Sequence, residues 1–216
     1  MVYACSGLLL CRLVDCDCDH QNPPSVLVIE LTPFYWCDEQ VMNPDGAILQ
    51  IGVANSDAAK AIRKTCPTMR HLMVEASHKN AEKFGAINIA LAASRGPVKL
   101  YLGYKAYQHT TLKMLTGCIG FETVSGLTLT DILDEFDLPE VDLVLCNCEG
   151  SELHAIRQLA GPVGNRIRQA CMALHCSHVQ YYSRQILDAT LLPLTDCWDM
   201  DFRMPQGLEY VLLTRK

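Results

Sequence analysis

From Ala47 onward the chain alternates short apolar runs with stretches of helical period, and this alternation limits the fold more than any other feature. The runs at 47–51, 71–75, 87–92, 141–146 and 170–175 have strand length. Near-continuous apolar runs of this length suit strands covered on both faces. Segments 56–65, 78–84, 128–136 and 180–189 have helical composition. In the third, Thr128 precedes Leu129, Ile132, Leu133 and Phe136 on one face, an N-cap followed by an amphipathic stretch. Another helix begins at Ser151 and Glu152 and turns Leu153, Ile156 and Leu159 inward. Strands separated by helices imply βαβ units and a parallel sheet. Right-handed crossovers leave the doubly wound sheet as the commonest arrangement.

Two segments depart from the alternation. A hairpin-like piece at 98–104 is followed by a Gly/Thr-rich stretch that runs to Ser125. At the other end, strands at 197–202 and 209–213 are joined by the turn Pro205-Gln206-Gly207. That turn is too short for a crossover, so the pair must form an antiparallel hairpin at one sheet edge.

The 216 residues fit one domain, expected over 25–216. Residues 1–24 end in the breaker Asn22-Pro23-Pro24 and read as an N-terminal extension. A net charge of −6 argues against a broad phosphate-binding surface, so no nucleic-acid partner is expected. The apolar start of the chain is too short to span a membrane and lacks a signal-peptide pattern, so a cytoplasmic protein with no membrane partner is expected. Twelve cysteines are many, but a chain of this size needs no disulfide staples, and free thiols in a reducing compartment are expected. The acidic stretch from Asp15 to His20, with Cys16 and Cys18, reads as a polar loop rather than a metal site.

Four places carry candidate chemistry. The loop Gln50-Ile51-Gly52-Val53-Ala54-Asn55-Ser56 leaves the first strand of the alternation on small residues, which lets backbone approach a ligand at a helix N-terminus. Small residues at such turns also serve packing. Glu75 closes the second strand, 23 residues after Gly52. A carboxylate there accepts hydrogen bonds from ribose hydroxyls in nucleotide-binding α/β folds; a solvated strand end is the plainer alternative. Asn147 and Glu149 emerge from the fourth strand beside Gly150, at the end where ligands sit in this fold, although both could simply cap the next helix. His175 ends the fifth strand and is expected to face the same cleft, with Cys176 and His178 just beyond. A metal at these histidines, or nucleophilic catalysis by Cys176, has less support than a satisfied histidine.

These pieces together resemble the FkbM family of class I S-adenosylmethionine-dependent methyltransferases over residues 46–215. The family's D-x-G-A-N-x-G opening is similar to 50–57, and its F/V-E-P to Val74-Glu75-Ala76. Its N-x-A-L matches Asn88-Ile89-Ala90-Leu91. Its tLdd and D-l-l-K-i-D-v-E-G-a-E segments are echoed at 127–133 and 141–152. Three positions depart: Gln50 for an acidic residue, Leu145 for Lys and Asn147 for Asp.

The resemblance implies a doubly wound seven-stranded sheet, mostly parallel with a C-terminal antiparallel hairpin, and S-adenosylmethionine as cofactor. It implies cofactor binding by Gln50, Gly52, Ala54, Asn55, Glu75 and Ala90. Methyl transfer to a hydroxyl of a small molecule or glycan is the expected reaction. Glu149 or His175 would be its base and Asn147 would orient the acceptor. Because the departures cluster near the acceptor, a catalytically impaired methyltransferase-like binding protein is the alternative. A nicotinamide-dependent oxidoreductase fits the closing hairpin less well.

Overall fold

A computed structural model describes residues 28–53, 57–105, 109–112, 117–175 and 183–216. In chain order the strands and helices are β1 (Val28–Glu30), β2 (Trp36–Asp38), β3 (Ala47–Ile51), α1 (Asp57–Thr65), β4 (Arg70–Glu75), α2 (His78–Phe84), β5 (Ile87–Asn88), β6 (Ala90–Leu91), β7 (Gly96–Gly103), β8 (Cys118–Leu127), α3 (Leu129–Glu135), β9 (Val141–Cys146), α4 (Glu152–Leu159), β10 (Ile167–Leu174), α5 (Arg184–Leu191), β11 (Trp198–Arg203) and β12 (Glu209–Arg215).

The main sheet has seven strands in the order β11-β12-β10-β9-β3-β4-β5. The steps from β10 through β9, β3 and β4 to β5 are all parallel. β12 is antiparallel to both of its neighbours and lies between β11 and β10. The doubly wound sheet with its terminal hairpin is therefore the architecture expected from the sequence. The hairpin holds its last strand inside the sheet and leaves β11 at the edge.

Alternation along β3 divides the core. Ala47, Leu49 and Ile51 pack with Leu129, Ile132, Leu133, Leu153 and Ile156 of α3 and α4. Ile48 points the other way, to Ala58 and Ile62 of α1 and to Tyr35 and Trp36. Both faces are covered, which is why the strands read as unbroken apolar runs. Thr128 begins α3 with a reciprocal capping box to Asp131.

Part of the second face is covered by the segment before β3. Gln169 of β10, fully buried, accepts the Asp38 N–H at 2.7 Å and donates to the Asp38 carbonyl at 3.1 Å. The Trp36 indole N–H donates to Asp201 at 2.9 Å, and the Arg203 guanidinium lies 4.3 Å from the Trp36 ring centre. This segment is thus strapped across β10 and β11.

The sequence reading differs from the structure in two places. The run 87–92 is not one strand: β5 pairs with β4 of the main sheet, and β6 leaves to pair with β8. The Gly/Thr-rich stretch contains the ten-residue strand β8, which pairs with β7 in a second, three-stranded sheet. That small sheet sets Leu100 beside the carboxyl ends of β3 and β4. Among the described residues no helix is long and apolar enough to cross a membrane.

Candidate functional site

The site begins where β3 and β9 end side by side. Asn147 N–H donates to the Ile51 carbonyl at 3.0 Å, and Gly52 N–H donates to the Val74 carbonyl at 2.9 Å. Gly52 has φ +85°, and a Cβ there would stand 2.0 Å from the Asn147 carbonyl oxygen. Only glycine allows both the left-handed turn and the close approach.

Glu75, at the end of β4, is 6% exposed. Its Oε2 accepts the Val53 N–H at 2.7 Å and its Oε1 the Ser77 N–H at 2.8 Å. The carboxylate therefore ties the glycine turn to the neighbouring strand end. Burial pushes its pKa up, and the two amide bonds oppose that rise. Each oxygen uses one lone pair on backbone, which leaves acceptor capacity for a ligand. Asn88 fixes the turn after Glu75 by donating to the Glu75 and Ala76 carbonyls at 3.2 and 2.7 Å.

The loop after β9 wraps around a second carboxylate. Glu152, the first residue of α4 and wholly buried, accepts the N–H groups of Cys148 and Gly150. Glu149 lies between those two amides with φ +51°, followed by Gly150 at +105°. Thr110 donates to the Glu149 carbonyl at 2.6 Å, and the Thr111 and Ser151 hydroxyls are 2.6 Å apart. His175, 3% exposed, sits behind this loop with Nδ1 3.0 Å from Glu152 and Nε2 3.4 Å from Glu149. Burial alone would lower its pKa, but the two carboxylates outweigh it and raise the imidazole to about 9. Each ring nitrogen thus faces a carboxylate group. Burial also raises the Glu149 carboxyl, opposed by His175.

These elements line an open cleft at the carboxyl ends of β3, β4 and β9. Glu75, Asn147 and Glu149 supply its polar wall, and Ile51, Ile89 and Leu100 its apolar one. Of the expected cofactor residues, Gly52, Glu75 and Ala90 line it. Gln50 does not: its side chain turns along the sheet to His71 Nε2 at 3.1 Å. Ala54 and Asn55 lie outside the described residues, as do Cys176, His178 and residues 1–24. Asn147 and Glu149 face the cleft, whereas His175 stands behind Glu149 and does not line it. Among the described residues no cluster of His, Cys, Asp or Glu is arranged to hold a metal.

Four residues around the site carry no expectation from the sequence. Glu152 was read only as a helix start, although a carboxylate three positions after Glu149 was a visible signal. The threonines at 110 and 111 lie in a segment without periodicity. Tyr35, a buried residue of the strap, has its hydroxyl pKa raised by burial, with Asn147 acting in the opposite sense.

No family model matches the chain, and no curated protein matches it. Solved structures do. The methyltransferase FkbM from Methylobacillus flagellatus KT aligns over 82% of this chain with a TM-score of 0.53 and 11% identity. The alignment takes in 46% of that protein, so the chain spans about half its length. The precorrin-6y C5,15-methyltransferase from Geobacter metallireducens GS-15 aligns over 86% of this chain and 85% of its own, with a TM-score of 0.43 and 14% identity. The likeness to the first structure, with the strand order above, establishes the fold as that of class I methyltransferases.

Proposed function

We propose that the chain is an S-adenosylmethionine-dependent methyltransferase that methylates a hydroxyl of a small molecule or glycan. One observation carries the reading. In a methyltransferase fold, a buried carboxylate, Glu75, faces the cleft while its oxygens hold the backbone of the Gly52 turn. A strand-end carboxylate with spare acceptor capacity fits a pair of ribose hydroxyls, and Ile89, Ala90 and Leu91 offer an apolar edge for a purine. When bound, the cofactor supplies an electrophilic methyl group, so the protein needs to provide mainly alignment and one base.

Glu149 is the base of this reading, because its carboxylate lines the cleft. His175 is buried behind it and protonated at neutral pH, so it cannot take the proton itself. Asn147, which lines the cleft, would orient the acceptor oxygen. Residues 25–216 would act as one catalytic domain, with residues 1–24 as an extension. The acidic net charge supports a small-molecule or glycan acceptor over nucleic acid. A cytoplasmic location belongs to the same proposal, since a chain of this size needs no disulfide staples.

The test is release of S-adenosylhomocysteine with a panel of hydroxylated acceptors. Wild type should turn over with at least one, and Glu149→Gln should lose activity by about 100-fold or more. The second reading, a binding protein with an impaired site, is favoured by one feature: an amide at Asn147 where the similar family has a carboxylate. It gains if wild type is inert throughout and Asn147→Asp switches turnover on.

A further inference from the structure

Resting on the proposal that Glu149 serves as the base, we infer that Glu152 is the positioning residue that aims the Glu149 carboxylate into the cleft. Glu152 reaches Glu149 along two routes. The first runs through backbone: its carboxylate accepts the N–H groups of Cys148 and Gly150, the residues on either side of Glu149. That grip holds Glu149 at φ +51°, a conformation that a residue with a Cβ rarely adopts unsupported. The second runs through His175, whose Nδ1 lies 3.0 Å from Glu152, which turns Nε2 toward Glu149 at 3.4 Å. One buried carboxylate thereby sets the base's backbone and its side-chain partner at once.

The burial makes this more than a cap. Glu152 is 0% exposed, so solvent offers no substitute for any of its three partners. An ordinary first-turn glutamate is solvated and contributes a few tenths of a kcal/mol to its helix. The other titratable groups near the trio are Tyr210 of β12, Cys146, Cys148 and His154. Burial raises Tyr210 and lowers His154, the Cys146 contact and burial raise Cys148, and burial raises Cys146 against its Cys148 contact. The groups within reach of the His175 ring nitrogens are the carboxylates of Glu152 and Glu149.

The experiment is nuclear magnetic resonance of the full chain with ¹⁵N-labelled histidine and backbone amides, followed from pH 6 to 10. In wild type, His175 should carry protons on both ring nitrogens at neutral pH and titrate near 9. The amides of Cys148 and Gly150 should be protected from exchange. Glu152→Gln should lower the His175 midpoint by about 1–3 units, the effect of losing an adjacent opposite charge. It should also speed exchange at one or both amides by about tenfold, because a single amide oxygen replaces the carboxylate pair. Glu149→Gln should lower the midpoint less and leave both amides protected. The inference is overturned if Glu152→Gln leaves the midpoint and both amides as in wild type. Should that variant not fold, wild type decides: a neutral His175 at pH 7, or unprotected Cys148 and Gly150 amides, overturns it. S-adenosylhomocysteine titrated into wild type by calorimetry keeps the two claims apart. Failure to bind strikes the functional reading, whereas the ring-nitrogen and exchange results bear on Glu152.

Discussion

Gly52 and Asn147 approach so closely that a single methyl group could not be placed between them: a Cβ on Gly52 would lie 2.0 Å from the Asn147 carbonyl oxygen. This contact joins the turn after β3 to the exit of β9, so the two cleft walls share one support. Gly52→Ala combines backbone strain at φ +85° with a clash against rigid main chain. The expected destabilisation is about 3 kcal/mol or more, read by urea denaturation. A loss below about 1 kcal/mol would show that the strand ends can separate freely.

Glu75→Gln removes a charge and one of the two acceptor oxygens that hold Val53 and Ser77. The variant should fold and bind S-adenosylhomocysteine about 10- to 150-fold more weakly, the equivalent of losing a charged hydrogen bond of ~1.5–3 kcal/mol. Calorimetry reads the change directly. An unchanged dissociation constant would leave Glu75 as a purely structural tie.

The His175 cation has a consequence for stability against pH. Its pKa is raised from the ordinary 6.5 to about 9 in the folded protein. A raised histidine contributes stability that is fully present below about pH 6.5 and is lost as pH rises through 9. Chemical denaturation across that window should show wild type losing roughly 3 kcal/mol relative to His175→Gln. Parallel pH dependence of the two proteins would mean that His175 is neutral in the fold.

Gln169 tests the strap. Gln169→Ala leaves both the N–H and the carbonyl of Asp38 without their partner. It should cost about 1–3 kcal/mol, and hydrogen exchange should rise first over residues 28–38. Uniform loosening across the sheet would contradict a local docking role.

Most of this architecture is legible from local pattern. β3 and β9 begin and end where their apolar runs do, and Thr128 with Asp131 marks the start of α3. What escaped the sequence reading depends on partners far along the chain. β8 turns Ile119 and Phe121 outward and places Gly126 inward, the reverse of the usual pattern. The reason is tertiary: a Cβ on Gly126 would meet Val98 at 2.7 Å and the Gly96 carbonyl at 2.9 Å. The break at Ile89 is invisible because no glycine or proline marks it, and only the separate pairings of β5 and β6 divide the run 87–92. At the site, Gly52, Glu75, Asn147 and Glu149 sit at strand ends, where the pattern points. Gln50 was drawn away by His71 on the adjacent strand, and Glu152 takes its meaning from a histidine 23 positions later. Neither relationship has a local signature.

Titration calorimetry with S-adenosylhomocysteine and with NAD⁺ reads whether the cleft takes the adenosylated cofactor proposed for it. Saturable one-to-one binding of S-adenosylhomocysteine that weakens at least about tenfold in Glu75→Gln, with no heat from NAD⁺, is the expected result. Binding of NAD⁺ with no response to S-adenosylhomocysteine, or silence from both, would contradict it.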